Sequence, residues 1–178
     1  MTMEAWLNLF RRTRREYFAD FFITPPLTLG LLLISLSKAD WWWPVLFGAG
    51  LLFWTFYEYA THRWVAHGVP CFREAHALHH KAQRDYIAMH PLLTLAIYVL
   101  FWALFGFGGG AMSAGFSSGY VFYSVLHTAF HYGAIGPGQG LYRLKLRHAL
   151  HHRADCNYGV STSLWDRIFG TEAEIRLV

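Results

Sequence analysis

REAHALHHKAQRD (residues 73–85) and LKLRHALHHRAD (residues 144–155) each carry the pattern HxxHH. In a helix, residues three and four apart share a face. His76, His79 and His80 therefore point one way, and His148, His151 and His152 repeat that arrangement. Each stretch is preceded by a pair: EYATHRWVAHG (58–68) holds His62 and His67, and YSVLHTAFHYG (123–133) holds His127 and His131. His127 and His131 are four apart and share a helical face. His62 and His67 are five apart and do not, so a helix end, kink or bulge is expected between them. All but His90 of the 11 histidines fall in these four clusters.

The surroundings are strongly apolar. The chain has 178 residues, 54% apolar, 19% aromatic and only 15% charged, well under the usual charged share of a soluble domain. This composition excludes a disordered tail or a disulfide-stapled miniprotein, and the length suits one compact unit. Four apolar runs, residues 21–37, 41–61, 91–107 and 111–132, approach the length that spans a bilayer. The connections 38–40 and 108–110 are short, so the runs are expected to pair as two antiparallel hairpins. Pro25-Pro26 is expected to kink the first run or mark its start. Residues 1–20 read as an interfacial segment, retained rather than cleaved as a signal peptide, and residues 21–178 as one membrane domain. Trp41, Trp42 and Trp43 suit an aromatic belt at the membrane surface.

Lys and Arg cluster before the first run, between the second and third, and after the fourth (Arg143 to Arg176), whereas only Lys38 lies on the other side. The positive-inside rule then places both termini, the middle loop and the four histidine clusters in the cytoplasm. The net charge of +4 suits an anionic lipid surface, and no nucleic-acid partner is expected. Cys71 and Cys156 read as reduced thiols. The expected fold is all-α: an integral, multi-pass membrane bundle of four transmembrane helices with a cytosolic, histidine-rich dimetal cap. Its compact form favours a bacterial inner membrane over the endoplasmic reticulum.

Neutral imidazole is the commonest metal ligand. Imidazoles packed together without a cation would leave buried nitrogens unpartnered, at a cost of several kcal/mol. Ten exceed the needs of one ion and suit two ions with five ligands each. The expected ligands are His62, His67, His76, His79, His80, His127, His131, His148, His151 and His152; His90 lacks a helical partner and is left out. Spacing leaves the metal open among zinc, iron, copper and nickel. Zinc would imply hydrolysis, and oxygen chemistry requires a redox metal. Glu58 sits in an apolar run four residues before His62, where it either accepts a proton from a ligand imidazole or pairs with an arginine. Asp166 either orients a ligand or serves packing.

The order HxxxxH, HxxHH, HxxxH, HxxHH resembles the fatty acid hydroxylase superfamily, whose members include sterol desaturases and carotene hydroxylases. Its fatty acid 2-hydroxylase branch is the nearest likeness. FWTFYEYATHRWVAHG (53–68), HALHHKAQRD (76–85), GYVFYSVLHTAFHYG (119–133), YRLKLRHALHH (142–152) and YGVSTSLWDRIFG (158–170) carry the similarity, which covers roughly residues 50–170. The resemblance implies an oxidoreductase with two metal ions, iron when active (zinc in a purified sample), that uses O2 to hydroxylate a lipid or fatty acyl chain. It implies His62, His67, His76, His80 and His151 around one ion, and His79, His127, His131, His148 and His152 around the other. Ser124 and Arg153 depart from the family pattern, and His90-Pro91-Leu92-Leu93 is not a cytochrome b5 haem motif. Electrons are therefore expected from an external carrier, cytochrome b5- or ferredoxin-like. Trp64, Phe72, Tyr86, Tyr158 and Trp165 are expected either to shield the site from water or simply to pack, and a helix is expected to start near Ser163.

Three other readings share some of these features. A carotenoid or sterol hydroxylase or desaturase would use the same histidines. A metal transporter is a different class, but its ligands would lie near the bilayer midplane rather than at one end of the runs. A zinc hydrolase would work without O2.

Overall fold

The computed structural model describes residues 2–106, 110–133 and 135–175. Phe107 at the end of the third run, Gly108 and Gly109 of the second short connection, and Arg176 lie outside the described residues. Among the described residues the regular structure is helical throughout, apart from an isolated antiparallel bridge between Arg11 and Ile87. The chain divides into two compact units, residues 1–54 with 85–121, and residues 55–84 with 122–178.

The first unit holds α1 (Met3–Asn8), α2 (Arg14–Ser37), α5 (Pro91–Phe105) and parts of α3 (Trp43–Ala60) and α6 (Ala111–Tyr132). α2 begins well before the first apolar run, because Thr13 and Glu16 form a capping box: the Thr13 hydroxyl accepts from Glu16 N, and the Glu16 carboxylate accepts from Thr13 N. Pro25 and Pro26 lie inside this helix and do not mark its start. They deprive the carbonyls of Phe21 and Phe22 of their usual donors. Just upstream, the Thr24 hydroxyl donates to the Asp20 carbonyl at 2.9 Å. α2 is the one described helix both long and apolar enough to cross a membrane, and Phe22, Leu29 and Leu33 stand exposed along it. α5 is shorter, at 15 residues. α3 and α6 dilute their aliphatic residues with Trp, Tyr, Gly and Ser.

The N-terminal arm is pinned to the segment before α5. Arg12 N donates to Tyr86 O at 2.7 Å, and Ala88 N donates to Phe10 O at 3.0 Å. Within the unit's core, Phe101 stacks on Phe116 with ring centroids 3.9 Å apart, and Trp54 meets Phe116 edge-on. α3 and α6 approach closely through glycine. A Cβ on Gly50 would stand 2.1 Å from Met112 O, and one on Gly115 would stand 2.1 Å from Phe47 O.

The second unit holds the end of α3, a π-helical turn (Thr61–Ala66), α4 (Pro70–Lys81), the end of α6, α7 (Tyr142–His151) and α8 (Leu164–Ile168). Ser163 precedes α8, where the sequence placed a helix start. Leu126, Phe130 and Val160 form its apolar centre, with Tyr123, Ile135 and Leu144 packed on them.

Gly50→Ala and Gly115→Ala are expected to destabilise the protein by about 1–3 kcal/mol each, because backbone must move to admit the methyl group. Gly48, whose Cβ would meet nothing within 4 Å, supplies the control. Thermal unfolding of Gly48→Ala, mid-helix and in open space, should lie at or slightly above the wild-type midpoint, and equal midpoints for all three variants would contradict this packing.

Candidate metal centre

Four short helical pieces deliver the histidines. The pair five residues apart is brought together by the π turn, whose hydrogen bonds run from i to i+5. His67 N donates to His62 O at 3.1 Å, and the two imidazole centroids stand 5.3 Å apart. The i, i+4 pairs need only an ordinary helix: centroid separations are 4.6 Å for His76 and His80, 4.7 Å for His127 and His131, and 4.5 Å for His148 and His152.

The rings sort into two groups. One contains His62, His67, His76, His80 and His151; the other contains His79, His131, His148 and His152. Within each group, one ring nitrogen per residue lies within 4.8 Å of all the others. The outer pair of each HxxHH stays together, and the middle histidine crosses over: His79 leaves α4's pair for the second group, and His151 leaves α7's pair for the first. His127 stands beside the second group, its Nε2 3.3 Å from that of His131 and its ring 4.8 Å from His148. The partition follows the division implied by the family resemblance, with His127 at the margin. His90 belongs to the other unit, where its Nδ1 accepts from Leu92 N and caps α5.

The contacts within the groups are difficult to satisfy without a cation. His62 Nδ1 lies 2.6 Å from Tyr158 O, and His151 Nδ1 lies 2.9 Å from Cys156 O. Each Nδ1 must carry the proton, which leaves each neutral ring only a lone pair at Nε2. Yet His76 Nε2 lies 3.0 Å from the Nε2 atoms of both His62 and His80. A single proton on His76 can serve only one of those contacts. The second group repeats the conflict: His148 Nε2 lies 2.9 Å from His131 Nε2 and 3.0 Å from His152 Nε2. His79 Nε2 is buried without a hydrogen-bond partner.

Protonating the rings does not resolve this. Burial, together with the neighbouring imidazoles, holds His76 and His148 well below the ordinary value, His79 at about 2 and His80 at about 4. His151 and His152 are lowered to about 3, mainly by burial. The rings are neutral at pH 7 and present lone pairs. Two nitrogens bound at right angles to one ion at about 2.1 Å would themselves be about 3 Å apart. The donor set therefore fits metal ions.

The two candidate carboxylates act through a loop. Glu58 Oε1 accepts from the backbone N–H groups of Val160 and Ser161 at 2.6 and 3.0 Å. Asp166, fully buried, accepts from Tyr158 N, Gly159 N, the Thr171 hydroxyl and Arg147. This loop is the one whose carbonyls at Cys156 and Tyr158 receive the Nδ1 protons of His151 and His62. The described hydrogen bonds of both carboxylates thus hold the backbone that orients the imidazoles.

Sequence reasoning missed several members of this support. Asn157 is buried with a positive φ of 53°, and its side chain ties the loop to Ala173 at both ends of its amide. Arg147, next to His148, bridges Asp166 and Glu172. Arg147, beside a histidine cluster, and the αL-tolerant Asn157 were the available signals. Among the expected aromatics, Tyr158 packs its ring 5.2 Å from His67 and 5.3 Å from His151. Trp165 lies against Phe56, and Trp64 is partly exposed. Phe72 is half-buried on α4. Tyr86 packs instead on Tyr17 and Phe18 in the other unit. Tyr123, not anticipated, stacks on His127.

Residues 47–171 match the family model described as fatty acid hydroxylase. A fatty acid 2-hydroxylase of Mus musculus is 35% identical over 144 residues, covering 71% of this chain and 39% of the relative. A dihydroceramide fatty acyl 2-hydroxylase of Arabidopsis thaliana is 30% identical, covering 89% of this chain and 74% of the relative. The chain thus spans about two fifths of the mouse relative's length. A solved structure of full-length scs7p, with only its hydroxylase domain visible, superposes with a TM-score of 0.77 at 23% identity, covering 98% of this chain and 70% of that one; it shares the fold. The chain belongs to the fatty acid hydroxylase family.

Proposed function

We propose that this chain is a membrane-bound, O2-dependent hydroxylase of lipid acyl chains, acting at C2 and built around two iron ions. The observation that carries the reading is the convergence of imidazoles from four chain segments into two adjacent groups whose nitrogens face one another at about 3 Å. The names of the relatives, all acyl hydroxylases, support the substrate class and the position. In this reading His62, His67, His76, His80 and His151 hold one ion, and His79, His127, His131, His148 and His152 hold the other. When bound, iron supplies activation of O2 and oxidation of an unactivated C–H bond. Electrons come from an external carrier of the cytochrome b5 or ferredoxin kind.

The chain's own residues perform the rest. Backbone carbonyls of Cys156 and Tyr158 fix the tautomers of His151 and His62, so that Nε2 is free to ligate. Glu58 and Asp166 hold that loop rigid. Tyr158 meets three imidazoles edge-on and limits water on that side. The four apolar runs are read as membrane spans and the basic segments as cytoplasmic, which places the histidine clusters at the cytoplasmic boundary.

Expression of the protein should generate 2-hydroxylated acyl species in total lipid extracts, and His151→Ala should abolish them. Hydroxylated species that persist in that variant would contradict the assignment.

Asp166→Asn removes the charge that fixes the carbonyl-bearing loop, and an about 10–100-fold loss of metal affinity is expected. His90→Asn, which retains a capping side chain, should leave affinity unchanged. Competition titration with a chelator measures both; wild-type affinity in Asp166→Asn would contradict the role given to the loop.

The lowered histidine values set a pH dependence. Above the ordinary value of 6.5, folded and unfolded chains are both unprotonated at these rings. Below it the unfolded chain takes up protons that the fold refuses. Stability of the metal-free protein should therefore fall from about pH 6.5 downward, continuing toward the folded values near 4 to 2. Denaturant midpoints across this range read the effect, and a flat profile from pH 7 to 5 would contradict it.

A further inference from the structure

Tyr59 is buried completely on α3, and its hydroxyl is bonded on both sides. Arg63 Nη1 donates to it at 2.7 Å. Thr171 Oγ1 lies 3.0 Å away on the other side, and that hydroxyl donates its own proton to Asp166 Oδ1 at 2.7 Å. The direction of the chain is thereby fixed. Because the Thr171 proton is committed to Asp166, the Tyr59 phenol must donate to Thr171, and its oxygen accepts from Arg63. A phenol with an outgoing proton path to a carboxylate is arranged to release its proton as it loses an electron, while the Arg63 guanidinium on its oxygen holds its oxidation potential high, as suits a group that reacts only with a strong oxidant.

The rings beside it form a path. Tyr158 lies 5.9, 5.2 and 5.3 Å, centroid to centroid, from His62, His67 and His151. Tyr59 lies 6.2 Å from Tyr158 and 6.1 Å from Trp64. Trp64 is 45% exposed. Tunnelling falls steeply with distance, so a series of neighbouring oxidisable rings carries charge far better than aliphatic packing would. Simple packing does not require the Tyr59–Thr171–Asp166 proton path, which Phe at residue 59 would dispense with.

We propose that Tyr59 and Trp64, with the Tyr158 ring as the bridge to the histidines and not itself oxidised, form a one-electron relay that would supply the histidine-held metal pair with an electron when O2 has oxidised it and no acyl chain is present to react. The proposal rests on the dimetal reading above for its oxidant. In each event Tyr59 would give up one electron toward the site held by the histidines, which would accept it. The phenolic proton passes to Thr171 Oγ1 as the Thr171 proton passes to Asp166 Oδ1. A one-electron reductant in solution then returns an electron through Trp64, and the protons move back. The relay protects the site from its own oxidant and is separate from hydroxylation of the acyl chain.

Two measurements on the full-length protein in lipid nanodiscs decide the matter. In the first, a ruthenium polypyridyl photo-oxidant in solution generates a tryptophanyl radical, and its conversion to a tyrosyl radical is followed optically. Conversion should occur in the wild type, be lost in Tyr59→Phe and Trp64→Phe, and slow severalfold in Thr171→Val, with a diminished solvent deuterium effect. Equal tyrosyl yields in wild type and Tyr59→Phe would overturn the relay. In the second, reduced, iron-loaded protein is mixed with O2 without lipid and freeze-quenched for electron paramagnetic resonance. A tyrosyl radical present in wild type and absent in Tyr59→Phe is expected. O2 consumed with no organic radical formed would overturn the proposal. Failure to bind iron or consume O2 would instead sink the oxygenase reading, and the photo-oxidation result would still decide the relay.

Discussion

Facing lone pairs govern this protein. Imidazole nitrogens about 3 Å apart are stable when a proton lies between them or when a cation lies among them. At His76 and His148 one proton would have to serve two neighbours. Burial prevents the rings from acquiring more protons at neutral pH. An orphaned buried nitrogen costs roughly 1–3 kcal/mol, and several occur together here, so a metal-free site is expensive. The fold around it is organised to keep the rings in place despite that cost.

Three layers of support lie behind the rings. The helical pieces set which imidazoles share a face, and the π turn brings His62 and His67 together. Backbone carbonyls of residues 156 and 158 set tautomers. Glu58 and Asp166, placed 102 and 7 residues from the nearest loop positions they bind, fix those carbonyls by gripping the adjoining N–H groups. This third layer converts two buried charges into geometric control at a distance. It also accounts for Arg147, whose guanidinium offsets the Asp166 charge while its backbone neighbour His148 enters the second group.

Much of this was legible in the sequence, for physical reasons that differ by residue. Helical spacing identifies which histidines cooperate locally, and the five-residue gap between His62 and His67 correctly demanded a departure from an α-helix. Spacing alone could not sort the HxxHH triplets, because all three members share one face. The crossover of His79 and His151 arises from the packing of other segments, and only the family resemblance anticipated it. Glu58 was conspicuous as a charge in an apolar run, but its partners Val160 and Ser161 lie far along the chain and offer only backbone atoms, which leave no mark on composition. The early start of α2 was available locally in Thr13-Arg14-Arg15-Glu16, and counting apolar residues passed over it. The glycines at 50 and 115 likewise acquire meaning only when α3 and α6 come together.

The central claim concerns the occupant of the histidine groups, and X-ray absorption at the metal edge, combined with elemental analysis of protein purified without chelator, tests it most directly. Two metal ions per chain are expected, each surrounded chiefly by imidazole nitrogens at about 2.1 Å. Fewer than two ions, or a first coordination sphere dominated by oxygen or sulfur rather than imidazole, would contradict the account.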